Sequence, residues 1–149
     1  MMVFLIILVL VIDFVSKLIV SNLMQVGQSV VLIKDFFYIT YVRNTGAAWS
    51  VFSDRTWLVI GVSFIIILLL IWYVYKNKPS NKLEKVGYSL VIGGAIGNFI
   101  DRIVYGYVID FFDFNIFGYD YPIFNMADCF ILIGVLLLIV YTWRCKDGN

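Results

Sequence analysis

The sequence predicts a membrane all-α bundle of four transmembrane helices with a small β-sheet at one membrane surface. Of the 149 residues, 62% are hydrophobic and only 14% are charged, whereas charged residues make up about a quarter of a soluble domain. Small soluble proteins leave much of their area exposed to water, so such a fold could not hide this much apolar surface. Four stretches are long enough to cross a bilayer as helices. We interpret residues 1–149 as one integral membrane domain.

The composition excludes several classes of function. The net charge is +1, which gives no indication of nucleic acid as a partner. The chain has no histidine, which removes Ser-His and Cys-His nucleophile pairs and histidine-ligated zinc. We therefore expect no metal and no cofactor. Cys129 and Cys145 would lie roughly 24 Å apart on one helix, too far for a disulfide.

The first predicted span covers about residues 1–20 and is interrupted by Asp13 and Lys17. We interpret it as a retained helix, because a signal peptide favours a basic start and a small-residue cleavage site, and neither is visible. Asp13 and Lys17 stand at i and i+4, the spacing that favours an ion pair. Intramembrane charges are candidates for function, but mutual neutralisation and helix docking are the favoured interpretation here.

The connection after the first span contains a predicted β-rich segment at about residues 25–53. The stretch SVVLIKDFFYITYV is rich in β-branched and aromatic residues, which predicts paired strands. Both faces of these strands are apolar, so we expect a small sheet at the membrane surface. The turn signal Asn44-Thr45-Gly46 ends the sheet.

The remaining spans are predicted at about residues 57–75, 86–104 and 126–143. The second span is uncharged and has aromatic residues at its ends, which suits the interfacial belts of a bilayer. The third is rich in glycine, and small residues let helices approach closely in lipid. The fourth also ends in aromatic residues.

Basic residues predict the orientation. With four spans, the two termini and the loop 76–85 share one side of the membrane, whose basic residues are Lys76, Lys78, Lys82, Lys85, Arg144 and Lys146. The opposite side carries fewer basic residues. The positive-inside rule therefore makes the lysine-rich side cytoplasmic, and the stretch from Val108 to Cys129 lies at the outer face.

That outer stretch contains two carboxylates that could act together. Asp110 stands among apolar residues in VIDFF, and Asp128 opens the fourth span. The loop between antiparallel spans allows both to converge near the outer interface. Two carboxylates a few ångströms apart do not readily both ionise, so one keeps a proton. Such a pair can activate water for peptide hydrolysis without histidine or metal.

Several polar residues of this region could instead have purely structural roles. Asn125 could cap the fourth helix while Asp128 supplies charge in its first turn. Asp101 and Arg102 could form only an interfacial ion pair, with Arg102 reaching towards the headgroups. Asp113 and Asp120 stand in turn-like contexts, and we expect both to face solvent.

Two other functions are compatible with the residues. A small four-helix transporter would use Asp13 as an acid in mid-membrane, although Lys17 is placed to neutralise it. A Ser/Lys peptidase would pair Lys17 with Ser16 or Ser50. A transport assay and cleavage by the Lys17→Met variant would test these alternatives.

Five motifs carry a resemblance across nearly the whole chain. In order, they are IDFVSK, RNTGAAWS, GGAIGNFIDR, GYVIDFFD and FNMAD, and together they resemble the lipoprotein signal peptidases, the signal peptidase II family. The resemblance implies four transmembrane helices with a small extracytoplasmic β-cradle. It also implies aspartyl cleavage of bacterial prolipoproteins before a diacylglyceryl-modified cysteine.

The resemblance implies residue roles as well. It places the catalytic aspartates at Asp110 and Asp128. Supporting or substrate-binding positions fall on Asp13, Lys17, Asn44, Gly46, Asn98, Asp101, Arg102 and Asn125. Two departures from the family pattern are Phe14, where glutamine is common, and Cys129, where serine is common.

The implied setting is the bacterial cytoplasmic (inner) membrane. Both termini would be cytoplasmic and the active site would lie at the outer face. The implied partners are diacylglyceryl-modified prolipoproteins, membrane lipids and globomycin-like inhibitors.

Overall fold

The structure, a computed structural model, describes residues 1–46 and 56–146. Its helices are α1 (Met2–Leu23), α2 (Thr56–Asn77), α3 (Lys82–Tyr105) and α4 (Met126–Lys146). Three of them, α1, α2 and α4, are long and apolar enough to cross a membrane. The other helix, α3, has basic and acidic residues in both its first and last turns, which lowers its average hydropathy.

Helix α3 lies at the centre of the bundle and contacts each of the other three helices. Glycine allows this close approach. A Cβ atom at Gly94 would lie 2.5 Å from the backbone oxygen of Ala127 in α4. A Cβ atom at Gly97 would lie 2.6 Å from the Asp13 carboxylate in α1. The C-terminal half of α3 therefore touches both the start of α4 and the polar part of α1.

A four-stranded antiparallel sheet lies between the helices in sequence, with strand order β1-β2-β3-β4. Strands β1 (Ser29–Ile33) and β2 (Phe37–Asn44) come from the first connection, and β3 (Val108–Ile116) and β4 (Tyr119–Asp120) from the connection before α4. Strands β2 and β3 pair with a register shift between Ile39 and Val42. The sheet thus joins the two connections that were expected to share the outer face.

Strand β3 corrects the sequence interpretation of Val108–Ile116, which was treated as a loop with turn-like aspartates. Asp113 lies inside the strand opposite Tyr38 and accepts a hydrogen bond from Thr40 Oγ1. It is therefore not a freely solvated turn residue. Asp120 is exposed, as expected, in the short strand β4. The strand was hidden because apolar residues occupy both of its faces, which removes the alternation that marks a half-buried strand.

The sheet is attached to the helices through a small apolar core. Tyr41 from β2 and Ile109 and Phe111 from β3 are buried together with Val20 from α1. The backbone of Phe112 also pairs with that of Phe124, just before α4. These contacts hold the start of β3 against the helix ends, which fixes where Asp110 points.

Candidate active site

Asp110 is held by two side-chain amides from different elements. Its Oδ1 accepts a hydrogen bond from Asn125 Nδ2 at 2.6 Å, and its Oδ2 accepts one from Asn44 Nδ2 at 2.9 Å. Asn44 lies on β2 two residues beyond Val42, which is paired with Asp110, so the two polar side chains are diagonal neighbours on one face of the sheet. The carboxyl is only 3% exposed.

Asp128 occupies the first turn of α4 in a reciprocal cap. Asn125 Oδ1 accepts a hydrogen bond from the Asp128 N–H, and Asp128 Oδ2 accepts one from the Asn125 N–H, both at 3.1 Å. This is the arrangement of a capping box, with aspartate in place of glutamate. The capping role is therefore real, and it leaves Asp128 Oδ1 to accept a hydrogen bond from Asn98 Nδ2 at 2.8 Å.

Two asparagines join the carboxyls into one network. Asn125 Nδ2 donates both to Asp110 Oδ1 and, at 3.0 Å, to Asn98 Oδ1, while Asn98 donates to Asp128. Asp110 and Asp128 also line the same cavity, whose volume is about 610 Å³. The structure thus brings together two acids that are separated in sequence by the rest of β3 and the turn before α4.

The environment of Asp110 favours its protonated form. Burial raises the pKa of this carboxyl from 3.8 to about 7, and the nearby charge of Asp128 acts in the same direction. The hydrogen bonds from Asn44 and Asn125 oppose the shift, because they stabilise the carboxylate. Asp110 can therefore gain and lose a proton near neutral pH, as a group that takes part in proton transfer must.

Arg102 connects α3 to the segment that follows β2. It donates from Nη2 to the Gly46 backbone oxygen at 2.8 Å and from Nη1 to the Asn98 backbone oxygen at 3.2 Å. Its buried Nε has no hydrogen-bond partner among the described residues. Asp101 instead lies 2.8 Å from Lys17. The interpretation of Asp101 and Arg102 as no more than a mutual ion pair is therefore wrong.

A buried charged cluster lies directly behind Asp128. Lys17 Nζ is 2.7 Å from Asp13 Oδ2, 2.8 Å from Asp101 Oδ2 and 3.0 Å from Asn98 Oδ1. Asp13 Oδ1 also accepts a hydrogen bond from the Ala127 N–H at 3.0 Å, so a residue of α1 helps to cap α4. The ion pair between Asp13 and Lys17 docks three helices rather than only neutralising one.

The contacts of Ser16 and Lys17 in this cluster test the alternative function as a Ser/Lys peptidase. Ser16 Oγ donates to the Asp13 backbone oxygen at 2.8 Å, and Lys17 is occupied by other acceptors. Ser16 therefore does not form a pair with Lys17. Ser50, like the AAWS part of the second motif, lies outside the described residues.

The walls of the cavity were not anticipated from the sequence. Beyond its polar end, the cavity is lined mostly by apolar side chains, namely Phe36, Val108, Phe114, Ile116, Tyr121, Pro122, Ile123, Phe124, Cys129 and Leu132. In sequence these residues were indistinguishable from groups that face lipid. They come from the turn between β1 and β2, from β3, from the connection before α4 and from α4, and only the tertiary fold brings them together around the two aspartates.

Comparison with known proteins identifies the family. Residues 5–144 match the family model described as signal peptidase (SPase) II. The chain belongs to the signal peptidase II family. The resemblance carried by the five sequence motifs is thereby confirmed, and the chain is a member of a peptidase family.

Members of this family are similar to the chain along nearly its full length. It is 42% identical to the lipoprotein signal peptidase of Clostridium tetani over 149 residues, which cover 99% of this chain and 95% of the relative. It is 43% identical to that of Staphylococcus haemolyticus over 141 residues, covering 95% of this chain and 88% of the relative.

Solved structures support the same assignment. A bacterial membrane enzyme determined by the in meso method at 2.3 Å superimposes with a TM-score of 0.90 and 38% identity, covering 99% of this chain and 90% of the other. A second, determined at 1.9 Å, gives a TM-score of 0.84 and 40% identity, covering 95% and 91%. Together with the apolar helices, these similarities indicate that this signal peptidase II family member is embedded in a membrane.

Proposed function

We propose that this chain is an aspartyl endopeptidase that removes signal peptides from bacterial prolipoproteins by cleavage before the diacylglyceryl-modified cysteine. The observation that carries the proposal is the placement of Asp110 and Asp128 in one cavity, joined through Asn98 and Asn125. The substrate class is supported by family membership and by relatives that bear the name lipoprotein signal peptidase.

In the proposed reaction the dyad holds one proton. The ionised carboxylate takes a proton from water as the water oxygen attacks the scissile carbonyl carbon, and the protonated carboxyl gives its proton to the carbonyl oxygen. When the tetrahedral intermediate collapses, the C–N bond breaks and the first aspartate transfers its proton to the leaving nitrogen. The second aspartate regains a proton from the diol, so the pair returns to its starting state without a metal or cofactor.

The remaining polar residues have supporting roles in this proposal. Asn44 and Asn125 orient Asp110, and Asn98 orients Asp128. Arg102 holds the Gly46 carbonyl beside the dyad, and Asp13, Lys17 and Asp101 lock the helices that bear these groups.

We also propose the arrangement in the membrane. All four helices cross the bacterial cytoplasmic membrane as a single domain, with cytoplasmic termini and the sheet and dyad at the outer face. The lipid chains of a prolipoprotein then remain in the bilayer while its peptide bond enters the polar end of the cavity. Globomycin-like inhibitors would occupy the same cavity.

The decisive test is cleavage of a purified, lipidated prolipoprotein by the wild type and by Asp110→Asn and Asp128→Asn. Each variant should lose at least about 10²–10⁴-fold in rate, the usual contribution of general acid–base catalysis. Asp120→Asn is the matched control, because Asp120 is exposed and its side chain accepts a hydrogen bond from Asn115 of its own hairpin. Substantial turnover by either dyad variant, in preparations free of contaminating protease, would refute the assignment.

A further inference from the structure

Lys17 is a buried cation, only 3% exposed, and none of its partners among the described residues is a dyad carboxyl. Its ammonium group has three N–H donors and no acceptor. Three side-chain oxygens lie within 3.0 Å of it, from Asp13, Asp101 and Asn98. Two of these are carboxylates, and the third is a neutral amide that reaches the dyad.

The amide of Asn98 has a direction that Lys17 helps to fix. Because a lysine only donates, the side-chain oxygen of Asn98 must face Lys17, and the side-chain nitrogen then faces Asp128 Oδ1 at 2.8 Å. Asn125 Nδ2 donates to the same Asn98 oxygen at 3.0 Å. Two donors on the oxygen ensure that Asn98 offers an N–H, rather than a carbonyl, to the dyad.

We propose that Lys17 is a positioning residue that acts on Asp128 through Asn98. The route is a continuous chain of hydrogen bonds, from the Lys17 ammonium to the Asn98 oxygen and from the Asn98 N–H to the Asp128 carboxylate. A cation at the acceptor end of an amide polarises it and strengthens the bond that its N–H donates. Lys17 thereby keeps Asp128 ready as the ionised base of the proposed reaction.

The charges around Asp128 distinguish an effect of Lys17 that passes through Asn98 from the summed electrostatic effect of the whole charged cluster. The titratable groups of the described residues that surround it are Asp13 and Lys17 on α1, Asp101 and Arg102 on α3, Asp110 on β3 and Cys129 on α4. Summed as bare charges, Lys17, Asp13 and Asp101 carry −1 and Arg102 carries +1, so these four groups together have no net charge that would favour ionisation of Asp128. Only the cation of this cluster touches Asn98, so the amide transmits the favourable charge selectively.

The alternative is that Lys17 only docks α1 against α3. Removing it would then lower the stability of the protein and leave the ionisation of Asp128 unchanged. A double-mutant cycle with Asn98 separates the two roles, since a coupling energy appears only if the residues act through each other.

The proposal rests on the proposed function for its kinetic readout, so the experiment includes a second readout that needs no substrate. The variants are Lys17→Met, Asn98→Ser and the double variant, with Lys34→Met as the matched control, because Lys34 is an exposed lysine in the turn between β1 and β2. The pH dependence of kcat/KM is measured with a lipidated prolipoprotein. The carbonyl stretch of protonated Asp128 is followed by infrared difference spectroscopy against Asp128→Asn.

We expect Lys17→Met to move the acidic limb of the kcat/KM profile, and the infrared titration, upward by about one pH unit, equivalent to a tenfold change in the ionisation equilibrium. In the Asn98→Ser background the same substitution should produce a clearly smaller shift, because only the direct effect of the Lys17 charge is then lost, and Lys34→Met should produce none. Equal shifts in both backgrounds, or an unshifted titration in folded Lys17→Met, would overturn the proposal.

Loss of folding is handled separately. Lys17→Met leaves two buried carboxylates uncompensated, which is strongly destabilising. If it does not fold, Asp13→Asn/Lys17→Met/Asp101→Asn, which replaces the cluster by neutral groups, takes the place of Lys17→Met in the cycle, with the same expected upward shift relative to the wild type. A downward shift there, or failure of this variant to fold, would assign Lys17 a structural role only. If the wild type does not cleave but the infrared cycle behaves as expected, the proposed function fails and the coupling between Lys17 and Asp128 stands.

Discussion

At the scale of single residues, the site is defined by amides more than by charges. Asp110 accepts hydrogen bonds from two asparagines, and Asp128 from one asparagine and one backbone N–H. A neutral donor in direct contact stabilises a carboxylate less strongly than a charged donor would. Since burial raises the pKa of Asp110 to about 7, this carboxyl can exchange a proton near neutral pH.

The raised pKa of Asp110 predicts how stability depends on pH. The folded-state pKa of about 7 exceeds the ordinary value of 3.8, so between about pH 4 and 7 the folded protein binds a proton that the unfolded chain has lost. Through Asp110 alone, the free energy of unfolding should fall by about 1.4 kcal/mol for each unit by which the pH rises in that window. Asp110→Asn should remove the contribution of this carboxyl and so make the slope shallower. Equal slopes for wild type and variant, measured by thermal unfolding in one detergent, would contradict it.

At the scale of elements, the helices and the sheet differ in how far the sequence predicts them. Long apolar runs and a turn signal were enough for four helices and for the β1–β2 region. Strand β3 was missed because VIDFFDFNI lacks alternation, and its partner β2 lies far away in sequence. Asp110 was selected for its apolar neighbours, but its bond to Asn44 depends on a strand pairing that no local pattern specifies.

The contact between α3 and α4 predicts the effect of adding one methyl group. In Gly94→Ala, the new Cβ would meet the Ala127 backbone oxygen at 2.5 Å, and backbone cannot move aside cheaply. The start of α4 would shift, and Asp128 with it, so we expect a lower melting temperature and a loss of cleavage of at least about tenfold, since small displacements of reacting groups are costly.

Gly61→Ala is the matched control for this substitution. Gly61 lies within α2, and a Cβ there meets nothing within 4 Å. Alanine is favoured over glycine inside a helix by about 1 kcal/mol, so this variant should be at least as stable as wild type. If Gly94→Ala behaved like Gly61→Ala in stability and cleavage, close packing at α3 would not position the dyad.

At the scale of the whole molecule, the outward faces of the helices are apolar, and the buried carboxyls and asparagines lie together with Lys17 towards the end of the bundle that carries the sheet. Hydropathy and the distribution of lysines predict the apolar helix faces and the orientation of the bundle. Each of these signals adds up the contributions of many residues, so no single contact decides it. The apolar cavity walls could not be predicted in this way, since phenylalanine facing lipid and phenylalanine facing a substrate look alike in sequence. Only the folded sheet distinguishes them.

The position of the site predicts dependence on substrate lipidation. Asp128 begins a helix that can cross a membrane, so the scissile bond must approach at the interface. Each buried CH₂ contributes about 0.8 kcal/mol to membrane attachment, and two acyl chains therefore concentrate and orient the substrate there. We expect efficient cleavage only of the diacylglyceryl-modified form.

The measurement uses a matched pair of full-length prolipoproteins, lipidated and unlipidated, in the same liposomes. A second comparison in excess detergent, which dilutes both forms equally, serves as the control for local concentration. Equal rates for the two forms in liposomes would contradict the prediction that the acyl chains anchor the substrate at the site, even if Asp110 and Asp128 proved essential.

The bond between the Asp13 carboxylate and the Ala127 N–H has a consequence for biosynthesis. It joins groups 114 positions apart in the chain, so a ribosome must complete α1 to α3, β3 and β4 before the partner of Asp13 exists. Until α4 inserts, Asp128 has no neighbour in Asn98, and Asp110 lacks the amide of Asn125. A nascent chain therefore carries no assembled dyad, and any chemistry of this centre begins only once the last helix of the bundle has entered the membrane.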